Sequence, residues 1–342
     1  MSAVRVQGNR ARLADFLYRS RLLGLCRFLS QERLIVFTYH RIQPEGSAAP
    51  SSFDDGVFGP TVSEFEQQVR WLRDHTRIVS EEELIKSCST GRRPRGVSTM
   101  ITFDDGYRDT YTLAYPILKR LGVPAMLFVP TRPITARQLG WWDLIAYLLK
   151  KTAKPSVSFD GMQLSLINWR TRAIRMVQRQ MHSTPAETTQ DLLGRLAAAC
   201  EVALPEREIQ DRELMTWDHI REVAAHQMAI GSHGHTHRVL ATLDPASQRE
   251  ELVLSKQVLE REIGRPVRAF AYPVGGYHTF TAETQRLARD VGYHLGFSFN
   301  TFVNEWACFD PFDVKRMMGP ELSSLAASMA VLPGLFARRA AR

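Results

Sequence analysis

The chain has 342 residues, 44% of them apolar and 23% charged, with a formal net charge of +8. This is enough to bury one large α/β core, and a barrel of this length need not be two domains. The four cysteines, Cys26, Cys88, Cys200 and Cys308, lie far apart with no C-x-x-C pair. That spacing excludes a short secreted frame stapled by disulfides and reads as free thiols in a reducing compartment.

Met1 to Ser30 carries Arg5, Arg10, Arg12, Arg19, Arg21 and Arg27, which interrupt every apolar run before it reaches the length of a signal-peptide core. No secretory leader is expected, and the expected setting is the cytoplasm. No apolar stretch approaches a membrane span. The positive charge is concentrated in this start and in Arg338, Arg339 and Arg342. It reads as a solvated basic helix, with peripheral contact to anionic lipid through the basic N-terminus as the second reading; no nucleic acid is implied.

Along the chain, Ala11 to Leu29 is predicted to be a helix with an imperfect apolar face. Arg33 to Tyr39 is a buried-strand pattern that delivers His40 to a rim, followed by a loop rich in Ser, Gly and Pro over 44–60. Ser63 to Asp74 follows as a helix, with Ser63 and Glu66 in capping-box spacing, and a further helix is expected near Ser80 to Ser87. Thr99 to Phe103 is an apolar, β-rich run. Tyr111 to Leu121 has helical spacing and stops at Gly122, and Pro124 to Val129 is the next strand. Between about 140 and 215 this rhythm gives way to an insertion, expected to lie over one face of the barrel that the rest of the pattern predicts. It holds Trp141 and Trp142, an apolar helix to Leu149, a hairpin around Asp160-Gly161 and a long charged helical region through Cys200. Helices over Trp217 to Ala225 and Ser247 to Ile263 and a strand over Val267 to Tyr272 complete the pattern. Alternating strands and helices over this length predict a distorted or incomplete (β/α) barrel. The expected organisation is a basic helical segment over 1–32, the main domain over 33–320 with its insertion, and a basic helical tail over 321–342.

The strand ending at Phe103 sets two adjacent carboxylates, Asp104 and Asp105, beside Gly106 and Tyr107. Neighbouring carboxylates repel unless one is committed to a cation, so the economical arrangement gives one to a metal and leaves the other to move protons. The dense source of further ligands is Gly231-Ser232-His233-Gly234-His235-Thr236-His237. Its first and last imidazoles share a face if the backbone is helical, whereas His235 joins them only on an extended strand.

Together the T-F-D-D-G-Y string, the H-x-x-x-H string and Phe270-Ala271-Tyr272-Pro273-Val274-Gly275 resemble the polysaccharide deacetylase family, the NodB-like enzymes of carbohydrate esterase family 4. That resemblance implies a deformed TIM-type barrel and a divalent ion held by Asp105, His233 and His237, with Asp104 as general base. Zinc is the expected metal, with cobalt, nickel and iron open. The family's late Leu-x-x-His string has no match after residue 280, and His294 lacks its strand context. Tyr39-His40 instead resembles the start of the circularly permuted branch, the poly-N-acetylglucosamine deacetylases, which makes His40 the expected general acid; a structural histidine is the alternative.

Two departures from the family pattern stand out. Ala271 occupies the place of an arginine that pairs with the base, and Gly234 replaces a Ser or Thr after the first histidine. Arg316, at the end of a D-P-x-x-x-x-R string, is the expected substitute, with Arg268 as competitor and a surface ion pair as the bland alternative. Tyr272 and Pro273 are expected in the pocket wall, with the Tyr272 N–H as oxyanion donor. Tyr107 is expected on the substrate side, and Trp142 either stacks on sugar or belongs to the core. The expected activity is removal of N-acetyl groups from an N-acetylated glycan or lipid-linked saccharide. A non-catalytic carbohydrate-binding relative and a hydrolase of another small amide are the alternatives.

Overall fold

The computed structural model describes residue 16 and residues 33–319 other than 47–50, 93, 95, 183, 185–187, 301–302 and 307–308. The expected N-terminal helix (Phe16 apart), the C-terminal tail, Cys26 and Cys308 lie outside the described residues. Cys88 and Cys200 are free thiols.

Seven parallel strands close into a barrel: β1 (Arg33–Tyr39), β2 (Val97–Phe103), β3 (Ala125–Val129), β4 (Met228–Ser232), β5 (Ala269–Ala271), β6 (Leu295–Ser298) and β7 (Val314–Met318). The first and last strands are neighbours, with Val36 opposite Arg316, and β1 also runs beside β2 from Arg33↔Val97 to Tyr39↔Phe103. Short strands flank the ring at Arg77–Ile78 and, antiparallel to β1, at Asn304–Glu305. This is the distorted (β/α) barrel that the alternating pattern predicts.

Strands β2 and β3 are buried at every position, the polar Ser98, Thr99 and Thr102 included, because both faces of the ring are covered. Side chains alternate along each strand. Leu34, Val36, Met100, Met126, Phe128, Ala269, Ala271, Leu295, Phe297 and Val314 form one buried cluster, while Ile35, Phe37, Ile101, Phe103, Leu127 and Phe270 belong to the larger cluster shared with the helices. A Cβ on Gly231 would lie 2.6 Å from the Phe128 ring, so only glycine leaves room there for that side chain.

The helix Val62–His75 starts one residue before the expected position, and its capping box uses Thr61 and Glu64 rather than Ser63 and Glu66. A strand, Phe58–Thr61, runs straight into the helix and makes Thr61 the cap; Glu66 pairs with Arg70 and Arg120 instead. Residues 141–213 form helices Trp141–Lys151, Arg170–His182, Thr189–Cys200 and Arg207–Glu213 and a hairpin of Ser156–Phe159 with Met162–Ser165. The long helical region expected through Cys200 is thus two helices. Pro185 stands between them in the sequence, and proline does not continue a helix. No described helix is long and apolar enough to cross a membrane.

Candidate active site

Each motif found in the sequence sits where a barrel strand ends. His40 follows β1, Asp104 and Asp105 follow β2, His233 follows β4 and Tyr272 follows β5. In a parallel barrel these C-terminal ends share one face, which is where loops can be shaped for chemistry without disturbing the ring.

The Asp104 N–H donates to the Tyr39 carbonyl at 3.0 Å, prolonging the β1–β2 ladder by one residue. Asp105 then turns into the left-handed region at φ 70°, and Gly106 follows at φ 70°. That turn stops the strand and leaves both carboxylates at the rim, 2% and 5% exposed.

The histidine loop is not helical. Gly234 and His237 both adopt left-handed backbone, at φ 77° and 59°. The bend they make, rather than a helical turn, brings the rings of His233 and His237 to 4.6 Å between centroids. Glycine at 234 suits its positive φ, which gives the departure from Ser or Thr a backbone reason. Support for the loop comes from the buried Glu251, which accepts from the His235 and Thr236 amides at 2.9 and 2.8 Å and from the Thr236 hydroxyl. His235 points elsewhere, its Nδ1 lying 2.8 Å from Thr131 Oγ1.

Asp105, His233 and His237 are all buried and offer ligand atoms within 4.8 Å of one another, the one such cluster among the described residues. Asp105 Oδ1 lies 3.4 Å from His237 Nε2 and 3.7 Å from His233 Nε2, and it has no hydrogen-bond partner among the described residues. His233 donates from Nδ1 to the Ala271 carbonyl at 2.9 Å, which leaves its Nε2 lone pair facing Asp105. Burial holds the His233 ring neutral, with its pKa pushed down to about 4, and lowers that of His237 well below the usual value. Burial, then the charges of Asp104 and Asp143, raises the Asp105 pKa well above the usual range. Two neutral imidazoles and a carboxylate that is costly to ionise alone fit a divalent cation.

Asp104 is held differently. Burial raises its pKa, but the Arg316 guanidinium, His233 and His40 outweigh that and bring it down to about 2. Arg316 Nη1 donates to Asp104 Oδ1 at 2.7 Å and Nε donates to the Ser298 carbonyl at 3.2 Å, while the guanidinium carbon lies 5.1 Å from the Phe128 ring centroid. At 1% exposure Arg316 is no surface ion pair. Arg268 precedes β5, at the opposite end of that strand from Tyr272, where its charge acts on Glu81. His40 Nε2 lies 3.9 Å from Asp104 Oδ2, and its side chain keeps 20% of its surface exposed, enough to be reached from the cavity. Burial lowers the His40 pKa, with Asp104 opposing.

These residues line a cavity of about 300 Å³, at the small end of ligand pockets, which run from about 300 to 1,000 Å³. Trp141 and Trp142 line it as well, with Trp142 4.3 Å from the His237 ring. The residues expected to touch substrate divide. Trp142 and Tyr272 border the cavity, but Tyr107 and Pro273 do not. Tyr107 is buried behind Trp142, accepting from its indole N–H at 2.7 Å and donating to Asp143 at 2.6 Å. The Tyr272 N–H donates to the Phe297 carbonyl at 3.0 Å, so the expected oxyanion donor is already engaged, and the phenol is tied to the Phe312 carbonyl at 2.8 Å. One wall comes from the insertion expected over one face of the barrel, but its residues were not named from the sequence: Arg175, Gln178, Arg179 and His182 of the helix Arg170–His182. Their i, i+3, i+4, i+7 spacing was visible, but nothing local says that this stripe of the insertion faces the barrel mouth.

The model of the family described as polysaccharide deacetylase matches residues 91–296. The chain belongs to the polysaccharide deacetylase family. Among curated members and relatives, YxkH of Bacillus subtilis is 23% identical over 234 residues, 68% of this chain and 56% of YxkH. The poly-beta-1,6-N-acetyl-D-glucosamine N-deacetylase of Staphylococcus aureus is 33% identical over 119 residues, 33% of this chain and 41% of that enzyme. The matches therefore span little more than half of those relatives, or less. In fold, this polysaccharide deacetylase domain is similar to the deacetylase PplD of Streptococcus pyogenes, with a TM-score of 0.57, 18% identity, and coverage of 88% of this chain and 99% of that one. It is also similar to IcaB of Ammonifex degensii, with a TM-score of 0.52, 19% identity, and coverage of 86% and 97%.

Proposed function

We propose that the chain is a metal-dependent hydrolase that removes N-acetyl groups from an N-acetylated amino-sugar glycan or its lipid-linked precursor. The observation that carries this is the buried trio of Asp105, His233 and His237, with ligand atoms within 4.8 Å, beside a second carboxylate held by its own arginine. Asp105 Oδ1 and the two Nε2 atoms are the groups that would hold the ion, with zinc favoured by the donor set over cobalt, nickel and iron. A divalent ion bound there supplies polarisation of the amide carbonyl and a water of lowered pKa.

The chain's own groups do the rest. Asp104 accepts a proton from the attacking water, and Arg316 keeps it ionised and fixes its second oxygen. His40 hands a proton to the departing amine. It must carry that proton first, and the charge of Asp104 is the largest influence favouring the protonated ring against burial. Trp141 and Trp142 offer aromatic faces for a sugar ring at the cavity wall. Arg316 at 2.7 Å from Asp104 favours turnover over a binding-only role, because it supplies the pairing that Ala271 cannot.

Acetate release from N-acetylglucosamine oligomers, measured with metal replete and after chelation, tests this reading. Metal-dependent release is expected; no release from any N-acetylated glycan with metal present would refute it.

A further inference from the structure

The helix Arg170–His182 turns two different faces to its surroundings. Ala173, Ile174, Val177 and Met181 are buried, while Arg175, Gln178, Arg179 and His182, one helical stripe, line the cavity that also holds Asp104, Asp105 and His40. Gln178 is engaged, donating to Asp54 Oδ2 at 2.8 Å, and His182 packs edge-on against Trp141 at 5.5 Å. Arg175 and Arg179 are exposed, and neither makes an ion pair or hydrogen bond among the described residues. This contrasts with Arg41, Arg137 and Arg316, each committed to a carboxylate.

The carboxylates lining the same cavity are Asp54, Asp104 and Asp105. Asp54 accepts from Gln178 and from the Gly56 amide, and Asp104 accepts from Arg316. None of them reaches the arginine pair. Two guanidiniums at i and i+4 repel each other. An anion between them removes that repulsion and meets two planar donor forks suited to phosphate or carboxylate. A neutral N-acetylated sugar offers no such group.

We propose that the sugar acted on carries an anionic group, a phosphate or a carboxylate, on or next to the N-acetylated ring, and that Arg175 and Arg179 receive it. This rests on the deacetylase reading and narrows its substrate.

The test uses the metal-replete full chain and three probes: N-acetylglucosamine 1-phosphate, an N-acetylated amino-uronic acid, and the neutral N-acetylglucosamine dimer. Binding is measured by calorimetry and acetate release in parallel. At least one anionic probe should bind about tenfold or more tightly than the dimer at low salt, with the advantage shrinking as salt rises. Whichever anion binds tighter assigns the source of the charge. R175Q/R179Q should raise KM for that probe about tenfold with a smaller change in kcat, and R175K/R179K should retain part of the affinity and so exclude misfolding. Equal binding of neutral and anionic probes, or no change in R175Q/R179Q, would overturn the proposal. Acetate released from the dimer without any preference for anions would leave the deacetylase reading standing alone. Anion-selective binding with no acetate released would do the reverse.

Discussion

Arg316 and Asp104, 212 residues apart in the chain, meet at 2.7 Å with both side chains almost wholly inside the barrel. Arg316 shares the inward direction of Val314 two residues before it, yet carries a full charge among Phe128, Thr38 and Ser298. Such a charge is tolerable because the guanidinium itself meets acceptors, at Asp104, Thr38 and Ser298, and the Phe128 ring. Arg316→Met should therefore strand the Asp104 carboxylate and destabilise the fold by about 3–5 kcal/mol. The double variant R316M/D104N should recover a large part of that loss. Urea denaturation of the four proteins decides it, and strictly additive losses would mean that the two groups are not coupled.

Asp104 and Asp105 are neighbours in sequence with opposite expected consequences. Asp104→Asn should bind metal as the parent does while acetate release falls by about 10²–10⁴-fold, the range for a lost general base. Asp105→Asn should lose the ion. Elemental analysis and turnover on the same samples separate the two, and an active D104N protein would remove Asp104 from the base role.

Without an ion, Asp105 is a burden: burial and the charges of Asp104 and Asp143 all oppose its ionisation. In chelator, Asp105→Asn should be at least as stable as the parent. With metal at about 100 times Kd the parent should gain about 2.7 kcal/mol, and the variant should not. Melting curves with and without added zinc read this directly; a parent protein indifferent to metal would contradict it.

Part of the ring was legible, because β1, β2, β3 and β5 are short, largely apolar runs bounded by turn residues or closed by motif residues; β6 and β7 were not, because Gly296, Lys315 and Arg316 break the apolar pattern. Asp104, Asp105, His233, His237 and His40 could be named because the strings that carry them resemble those of the polysaccharide deacetylase family, whose pattern selects the first and last imidazole over His235. What brings the two imidazoles together could not, because a pair at i and i+4 suggests a helix. The answer depends on left-handed backbone at Gly234 and His237, in a loop held by Glu251 sixteen residues after His235 and by the Thr131 and Arg132 amides just after β3. Tyr107 was misread for a similar reason. A tyrosine after a carboxylate pair looks like a substrate contact, and only the tertiary position of Trp142 and Asp143 turns it into a brace.

That brace is testable. Tyr107→Phe removes one hydroxyl that serves two buried partners, the Trp142 indole N–H and the Asp143 carboxylate. Leaving them unmatched should cost about 1–3 kcal/mol of stability. Because Trp142 lies 4.3 Å from His237, its loosening should also raise KM for the glycan. Unchanged stability and unchanged kinetics together would show that water replaces the hydroxyl without penalty.

Asp143 gives the fold a pH dependence of its own. Burial pushes its pKa from 3.8 up to about 6, against hydrogen bonds from Tyr107 and the Asp54 amide and the charge of Arg41. The folded state therefore binds this proton more tightly than the unfolded chain. The stability linked to it is fully present below pH 3.8 and is lost as pH rises through about 6. That rise corresponds to about 3 kcal/mol over the window. Asp143→Asn cannot titrate, so its stability should fall less between pH 4 and pH 6.5 than that of the parent, with both measured in chelator so that metal binding does not enter. Urea midpoints that move in parallel for the two proteins across this range would show that Asp143 keeps the same pKa folded and unfolded.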